Sequence, residues 1–136
     1  MDTINKFEDY GLSQELVTSL NGIGFTKASE IQDMTITPIL EGKDIFAQAE
    51  TGSGKTGSFA IPVIEQLLRK EQNGEIADKK SLYVVLSPTR ELAQQTLKVF
   101  NQIGESLDIK STCVIGGEDI EKQKQRLETG SHILVA

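Results

Sequence analysis

Eight consecutive residues, Ala49-Glu50-Thr51-Gly52-Ser53-Gly54-Lys55-Thr56, have the types and spacing to wrap an anion. Small side chains at Gly52, Ser53 and Gly54 let successive backbone N–H groups turn inward on phosphate oxygens. Lys55 adds a mobile cation suited to β- and γ-phosphates, and the Thr56 hydroxyl can ligate Mg²⁺. The chemistry is nucleotide binding, provided the segment joins a strand to a helix. The usual phosphate-loop pattern begins with Gly, and here that position is Ala49. The alternative is a glycine-rich turn with a surface lysine.

Both flanks meet the requirement on paper. Residues 44–49 form a short apolar run that reads as a strand. After the loop, Ala60, Val63, Ile64, Leu67 and Leu68 recur at helical spacing despite Pro62, so a helix N-terminus would face the same anion. Upstream, Ser13 starts a short helix to about residue 21, ended by Gly22-Ile23-Gly24. Ser29 starts a second, with Pro38 near its end. Residues 71–81 are polar and read as a solvated loop. Residues 82–86, 111–115 and 132–136 are short, apolar or β-branched runs, hence strands. Leu92, Thr96, Val99, Phe100 and Ile103 mark the helix between the first two, and 118–128 a charged surface helix. Strands apolar on both faces and alternating with helices predict an α/β fold, a parallel sheet with helices on both faces.

Composition narrows the setting. A chain of 136 residues suits one domain. Fourteen Lys and Arg against 20 Asp and Glu leave a charge of −6, which argues against bulk electrostatic nucleic-acid binding but leaves room for a local basic groove. No run approaches 18 apolar residues, so no membrane span is expected, and the N-terminus has no basic-then-apolar leader. The single cysteine, Cys113, excludes an intramolecular disulfide framework and a cysteine zinc site. A reducing, cytoplasmic setting follows.

The loop with its flanks, residues 47–56, resembles motif I of the DEAD-box ATP-dependent RNA helicases. Three further segments match in order and spacing. Residues 24–32, Gly-Phe-Thr-Lys-Ala-Ser-Glu-Ile-Gln, are similar to the Q motif, with Phe7 as its isolated upstream aromatic; 88–93, Pro-Thr-Arg-Glu-Leu-Ala, to motif Ia; and Gly116-Gly117 to the GG element. Ala28 departs from the family's usual proline. The resemblance covers essentially the whole chain and implies a P-loop NTPase of RecA-like fold, residues 1–136 forming an incomplete N-terminal domain. Motif II, the Asp-Glu-Ala-Asp segment whose carboxylates organise Mg²⁺ and the attacking water, is expected beyond residue 136, as is a second RecA-like domain with arginine fingers. The chain stops inside a strand, which suggests a truncated piece, one expected not to turn over ATP by itself.

Roles follow from the resemblance. ATP, or ADP, with Mg²⁺ is the implied ligand, held by Thr51, Gly52, Ser53, Gly54, Lys55 and Thr56, with Thr56 on the metal. Gln32 would read the adenine N6 and N7 edge and Phe25 would stack on the ring. Thr89, Arg90, Gly116 and Gly117 would touch an RNA backbone, largely independent of sequence. Each has a plainer alternative. Ser29-Glu30-Ile31-Gln32 is also a capping box. Phe25 and Phe7 suit core packing, Arg90 can pair with Glu91 or Glu118 on the surface, and Gly116-Gly117 suits a plain turn. His132, Lys79, Lys80 and residues 121–126 carry no motif. Two other function classes stay open, a different P-loop NTPase and a non-catalytic nucleotide- or RNA-binding module.

Overall fold

The computed structural model describes residues 5–50, 54–74 and 83–136. Contacts group them into two compact units, residues up to Arg69 and residues from Lys70 onward.

The first unit is helical. A 3-10 turn, Phe7–Tyr10, precedes α1 (Gln14–Gly22), α2 (Glu30–Leu40) and α3 (Lys55–Gln72). Phe7, Leu16, Val17, Leu20 and Ile36 are buried. On α3, Ala60, Ile61, Ile64, Leu67 and Leu68 form one buried stripe, the i, i+1, i+4, i+7, i+8 pattern of an amphipathic helix. Pro62 removes the N–H that would bond the carbonyl four residues back, at Ser58. The Thr35 hydroxyl of α2 lies 3.0 Å from that Ser58 carbonyl and 2.9 Å from Ile31 O, and shares its one proton between them. The helix therefore runs through its proline. Ser13 precedes α1, but its side chain does not cap the helix. Its N–H and Oγ instead donate to the buried Glu65 carboxylate, at 2.7 and 3.0 Å. Arg69 Nε donates to the same carboxylate at 2.7 Å, and its Nη2 to Gly11 O at 3.3 Å.

One expectation fails here. Residues 43–50 adopt no regular secondary structure, with Phe46 98% and Ile45 40% exposed. An apolar run becomes a strand only when a neighbouring strand satisfies its backbone groups. None of the described strands pairs with 44–49.

In the second unit, β1 (Tyr83–Val85), α4 (Arg90–Gly104), β2 (Ser111–Cys113), α5 (Ile120–Thr129) and β3 (Ile133–Val135) build a three-stranded parallel sheet in the order β1-β3-β2. Tyr83 and Ser111 both align with Ile133, and Val85 and Cys113 with Val135. The most apolar strand takes the centre, where Ile133 and Val135 are wholly buried. Helix α4 packs on β2 and β3, and α5 on β2. Along α4, Ala93, Thr96, Phe100 and Ile103 supply the buried face. On the sheet face of Thr112, Leu134 and Val84, exposure rises from 9% at Thr112 to 60% at Val84 on the β1 edge. His132 is buried, and its Nδ1 accepts from the Lys110 N–H at 3.0 Å, closing the ladder before β3. The expected loop at 71–81 begins later than anticipated, because α3 runs to Gln72 and a turn follows at residues 73–74; 75–81 lie outside the described residues.

Candidate functional site

The phosphate-loop segment ends where α3 begins. Gly54, with φ +89°, sits immediately before the helix, in a backbone region that other residues rarely adopt. Lys55 is the first helical residue and is exposed; Thr56 beside it is half-buried. An 18-residue helix leaves its first N–H groups without intrahelical acceptors, and these with its dipole favour an anion at Gly54–Lys55. The Ser58 hydroxyl donates to Lys55 O. The helix half of the expected strand–turn–helix context is present, the strand half is not, and Thr51, Gly52 and Ser53 lie outside the described residues.

Gln32 meets this loop directly. Its side chain is 5% exposed. Oε1 accepts from Ser29 N–H at 3.0 Å while Ser29 Oγ accepts from Gln32 N–H, completing the capping box at the start of α2. The same amide's Nε2 donates to Gly54 O at 3.2 Å. Helix capping and contact with the phosphate loop thus coexist in one side chain. The fit is close: a Cβ at Gly57 would lie 2.5 Å from Gln32 Nε2, and one at Gly54 2.7 Å from it. Phe25, offered as a stacking ring or a core residue, is half-buried and follows the end of α1, its N–H donating to Leu20 O. Phe7 is wholly buried.

The segment between α1 and α2 is tied to the residues upstream of α1. Ala28, wholly buried, donates its N–H to Asn5 O at 2.8 Å, a bond proline cannot make. Lys6 and Lys27 form an antiparallel bridge. Asp33 Oδ1 accepts from Tyr10 OH at 2.5 Å and Asn5 Nδ2 at 3.1 Å. Burial first, and the bond to Asp33 second, push the Tyr10 hydroxyl up to about 12.

The second candidate site belongs to the second unit, beyond the carboxyl ends of β1 and β2, where open α/β sheets bind ligands. Thr89 is exposed and caps α4, its Oγ1 accepting from Leu92 N–H at 3.1 Å. Arg90 is exposed and pairs with neither acidic neighbour: Nη1 donates to Gly116 O at 3.2 Å. Glu118 is taken by Arg126. Gly117 has φ +81°, and a side chain there would collide with Arg90 Nη1. Arg90, Gln94, Gly116, Gly117 and Glu118 line an open cavity of about 360 Å³.

Other residues stay outside both sites. Burial chiefly, then Glu118, raises the Cys113 thiol above its ordinary value, so it is a poor nucleophile at neutral pH. Among the described residues no group of three or more His, Cys, Asp or Glu is placed to hold a metal ion, and no helix is long and apolar enough to cross a membrane. Lys79 and Lys80 lie outside the described residues.

The second unit is a three-stranded parallel α/β sheet with Arg90 and the Gly116-Gly117 turn at its strand ends. Residues 29–136 match the DEAD/DEAH box helicase family model, and the chain belongs to that family. It is 38% identical over 133 residues to the ATP-dependent rRNA helicase RRP3 of Eremothecium gossypii, which covers 97% of this chain and 26% of that protein. It is 40% identical over 130 residues to the DEAD-box ATP-dependent RNA helicase CshA of Streptococcus pneumoniae (96% and 24%). Against the probable ATP-dependent RNA helicase ddx49 of Dictyostelium discoideum it is 45% identical over 130 residues (96% and 24%). The chain therefore spans about a quarter of the length of these relatives.

Proposed function

We propose that residues 1–136 are part of a RecA-like domain that binds ATP with Mg²⁺ and contributes to RNA contact, in a protein coupling ATP hydrolysis to RNA duplex separation or remodelling. Residues 51–56 hold the phosphates, with Lys55 on the outer ones and Thr56 on the metal. When bound, Mg²⁺ neutralises phosphate charge; the chain's own part is to supply the loop, the helix N-terminus and the hydroxyl.

The observation carrying this reading is the Gln32 Nε2 to Gly54 O bond, because it brings the segment suited to adenine against the loop suited to phosphate. Oε1 keeps a second lone pair and Nε2 a second proton, so the amide has capacity for adenine N6 and N7 while it caps α2. Phe25, half-buried rather than in the core, is free to stack on the base. Arg90 and the Gly116-Gly117 turn meet the RNA sugar–phosphate backbone, with Thr89 beside them. The names of the relatives, all RNA helicases, favour RNA as the polymer. A reducing, cytoplasmic compartment suits the single buried thiol.

For these residues in isolation, a second reading, nucleotide binding without turnover, is favoured by the sequence, which contains no Asp-Glu-Ala-Asp segment. Phosphoryl transfer needs the water oriented as well as the phosphate held. The test is ATPase activity of the 136-residue chain with and without RNA. We expect ADP binding and no turnover. RNA-stimulated hydrolysis abolished by Lys55→Ala would instead place the hydrolytic carboxylate within these residues.

A further inference from the structure

Helix α5 is charged along its length, and Gln123 is its one buried residue. That inverts the expected preference, since a half-exposed helix normally buries apolar side chains. The Gln123 carboxamide spends its capacity on one loop. Its Oε1 accepts from Ile115 N–H at 3.0 Å, and its Nε2 donates to Ile115 O at 2.9 Å and Glu118 O at 3.3 Å. The bonded positions, 115 and 118, bracket Gly116 and Gly117. A glycine pair is the most mobile backbone a chain can offer, so these bonds act where conformational freedom would otherwise be greatest. The opposite side of the turn is held by Arg90, through Gly116 O. The Arg126–Glu118 pair, also from α5, takes up the carboxylate nearest the turn.

We infer that Gln123 is the positioning residue for the Gly116-Gly117 turn, holding it in the one conformation that aligns its backbone with Arg90 for a phosphodiester ligand. This rests on the reading of Arg90 and the turn as an RNA contact. Gln123 touches no ligand itself. It removes the cost of ordering the glycines at the moment of binding, the general benefit of preorganisation.

The role predicts a split between two observables. Arg90 neutralises a phosphate, so Arg90→Ala lowers both affinity and the steepness of its salt dependence; Gln123 neutralises nothing, so its loss lowers affinity alone. The variant Gln123→Met keeps side-chain length and helix preference while removing the hydrogen bonds. We would titrate a single-stranded RNA oligonucleotide into the isotope-labelled 136-residue chain at several salt concentrations, following the Gly116 and Gly117 amide signals, which report binding even when weak. Amide hydrogen exchange at Ile115 and in the core at Phe100 and Ile133 would be read on the same samples. Expected for Gln123→Met and Gln123→Ala is about tenfold weaker RNA binding at unchanged salt slope, fast exchange at Ile115, and unchanged protection in the core. RNA binding equal to the parent chain, with Ile115 deprotected, would overturn the inference. So would a lowered salt slope, or faster exchange throughout the core. A parent chain whose Gly116, Gly117 and Arg90 signals ignore RNA would instead overturn the RNA reading itself.

Discussion

Gln32 Nε2 and the Gly54 carbonyl are joined at 3.2 Å, so the residue that caps α2 also bonds the residue immediately before α3. One amide thereby links the start of α2 to the start of α3. Removing it should disturb both. Oε1 serves the cap and Nε2 the bond to Gly54, both on one planar amide.

Gly57→Ala displaces this amide without changing Gln32 itself. In a helix interior, alanine is favoured over glycine by about 1 kcal/mol, so local propensity rises. The new Cβ would stand 2.5 Å from Gln32 Nε2 and must push the amide away from Gly54. We expect little change or a slight gain in stability to urea, and a several-fold loss of ADP affinity by calorimetry. Unchanged ADP affinity would mean that the Gln32–Gly54 contact does not matter to the ligand.

Arg90→Ala should weaken RNA binding and lower the salt slope by about one, less on a single strand. Arg90→Lys should not restore affinity fully, because a lysine is a point charge without the guanidinium fork needed to hold Gly116 O while contacting phosphate. Filter binding at several salt concentrations checks both. A slope equal to that of the parent chain would return Arg90 to a purely structural part.

Tyr10 makes a pH prediction. Its hydroxyl stands raised to about 12 against an ordinary 10, so the folded state favours the neutral, protonated form. The sign follows directly. The stabilisation is fully present below about pH 10 and is lost as pH rises through about 12. Only two tyrosines are present, Tyr10 and Tyr83, and burial raises Tyr83 as well. Absorbance titration should therefore show little phenolate at pH 10, and Tyr10→Phe should delete the component near 12. About half a tyrosine's worth of phenolate at pH 10 in the parent chain that disappears in Tyr10→Phe would contradict the part-buried Tyr10–Asp33 bond.

What the sequence made legible, and what it hid, divides by the range of the forces involved. The α2 start was readable because Ser29 and Gln32 act within one turn. The three sheet strands were readable because 82–86, 111–115 and 132–136 are short apolar or β-branched runs, though the paired cores are three residues each. The strand expected at 44–49 was not decided locally, since a strand depends on a distant partner for its hydrogen bonds. Glu65 lay inside an apolar stripe with nothing nearby to announce that Ser13, 52 positions away, would meet it. Gln123 was hidden in a charged run, where it and Gln125 alternate with charged residues and read as surface. Its spacing of eight residues from Ile115 was the available signal. For Arg90 the plainer alternative was an ion pair with Glu91 or Glu118, but a backbone carbonyl took it.

ADP titration by calorimetry into the 136-residue chain and its Lys55→Ala variant tests most directly whether Gly54, Lys55 and the start of α3 hold nucleotide phosphates. Lys55 is exposed at the first helical position, so its loss should leave the buried core intact. A hydrogen bond to a charged group contributes about 1.5–3 kcal/mol, which corresponds to a loss of about ten- to hundredfold in affinity. We expect that loss at unchanged urea stability. Equal ADP affinity in the two proteins would contradict the phosphate-loop assignment and the account built on it.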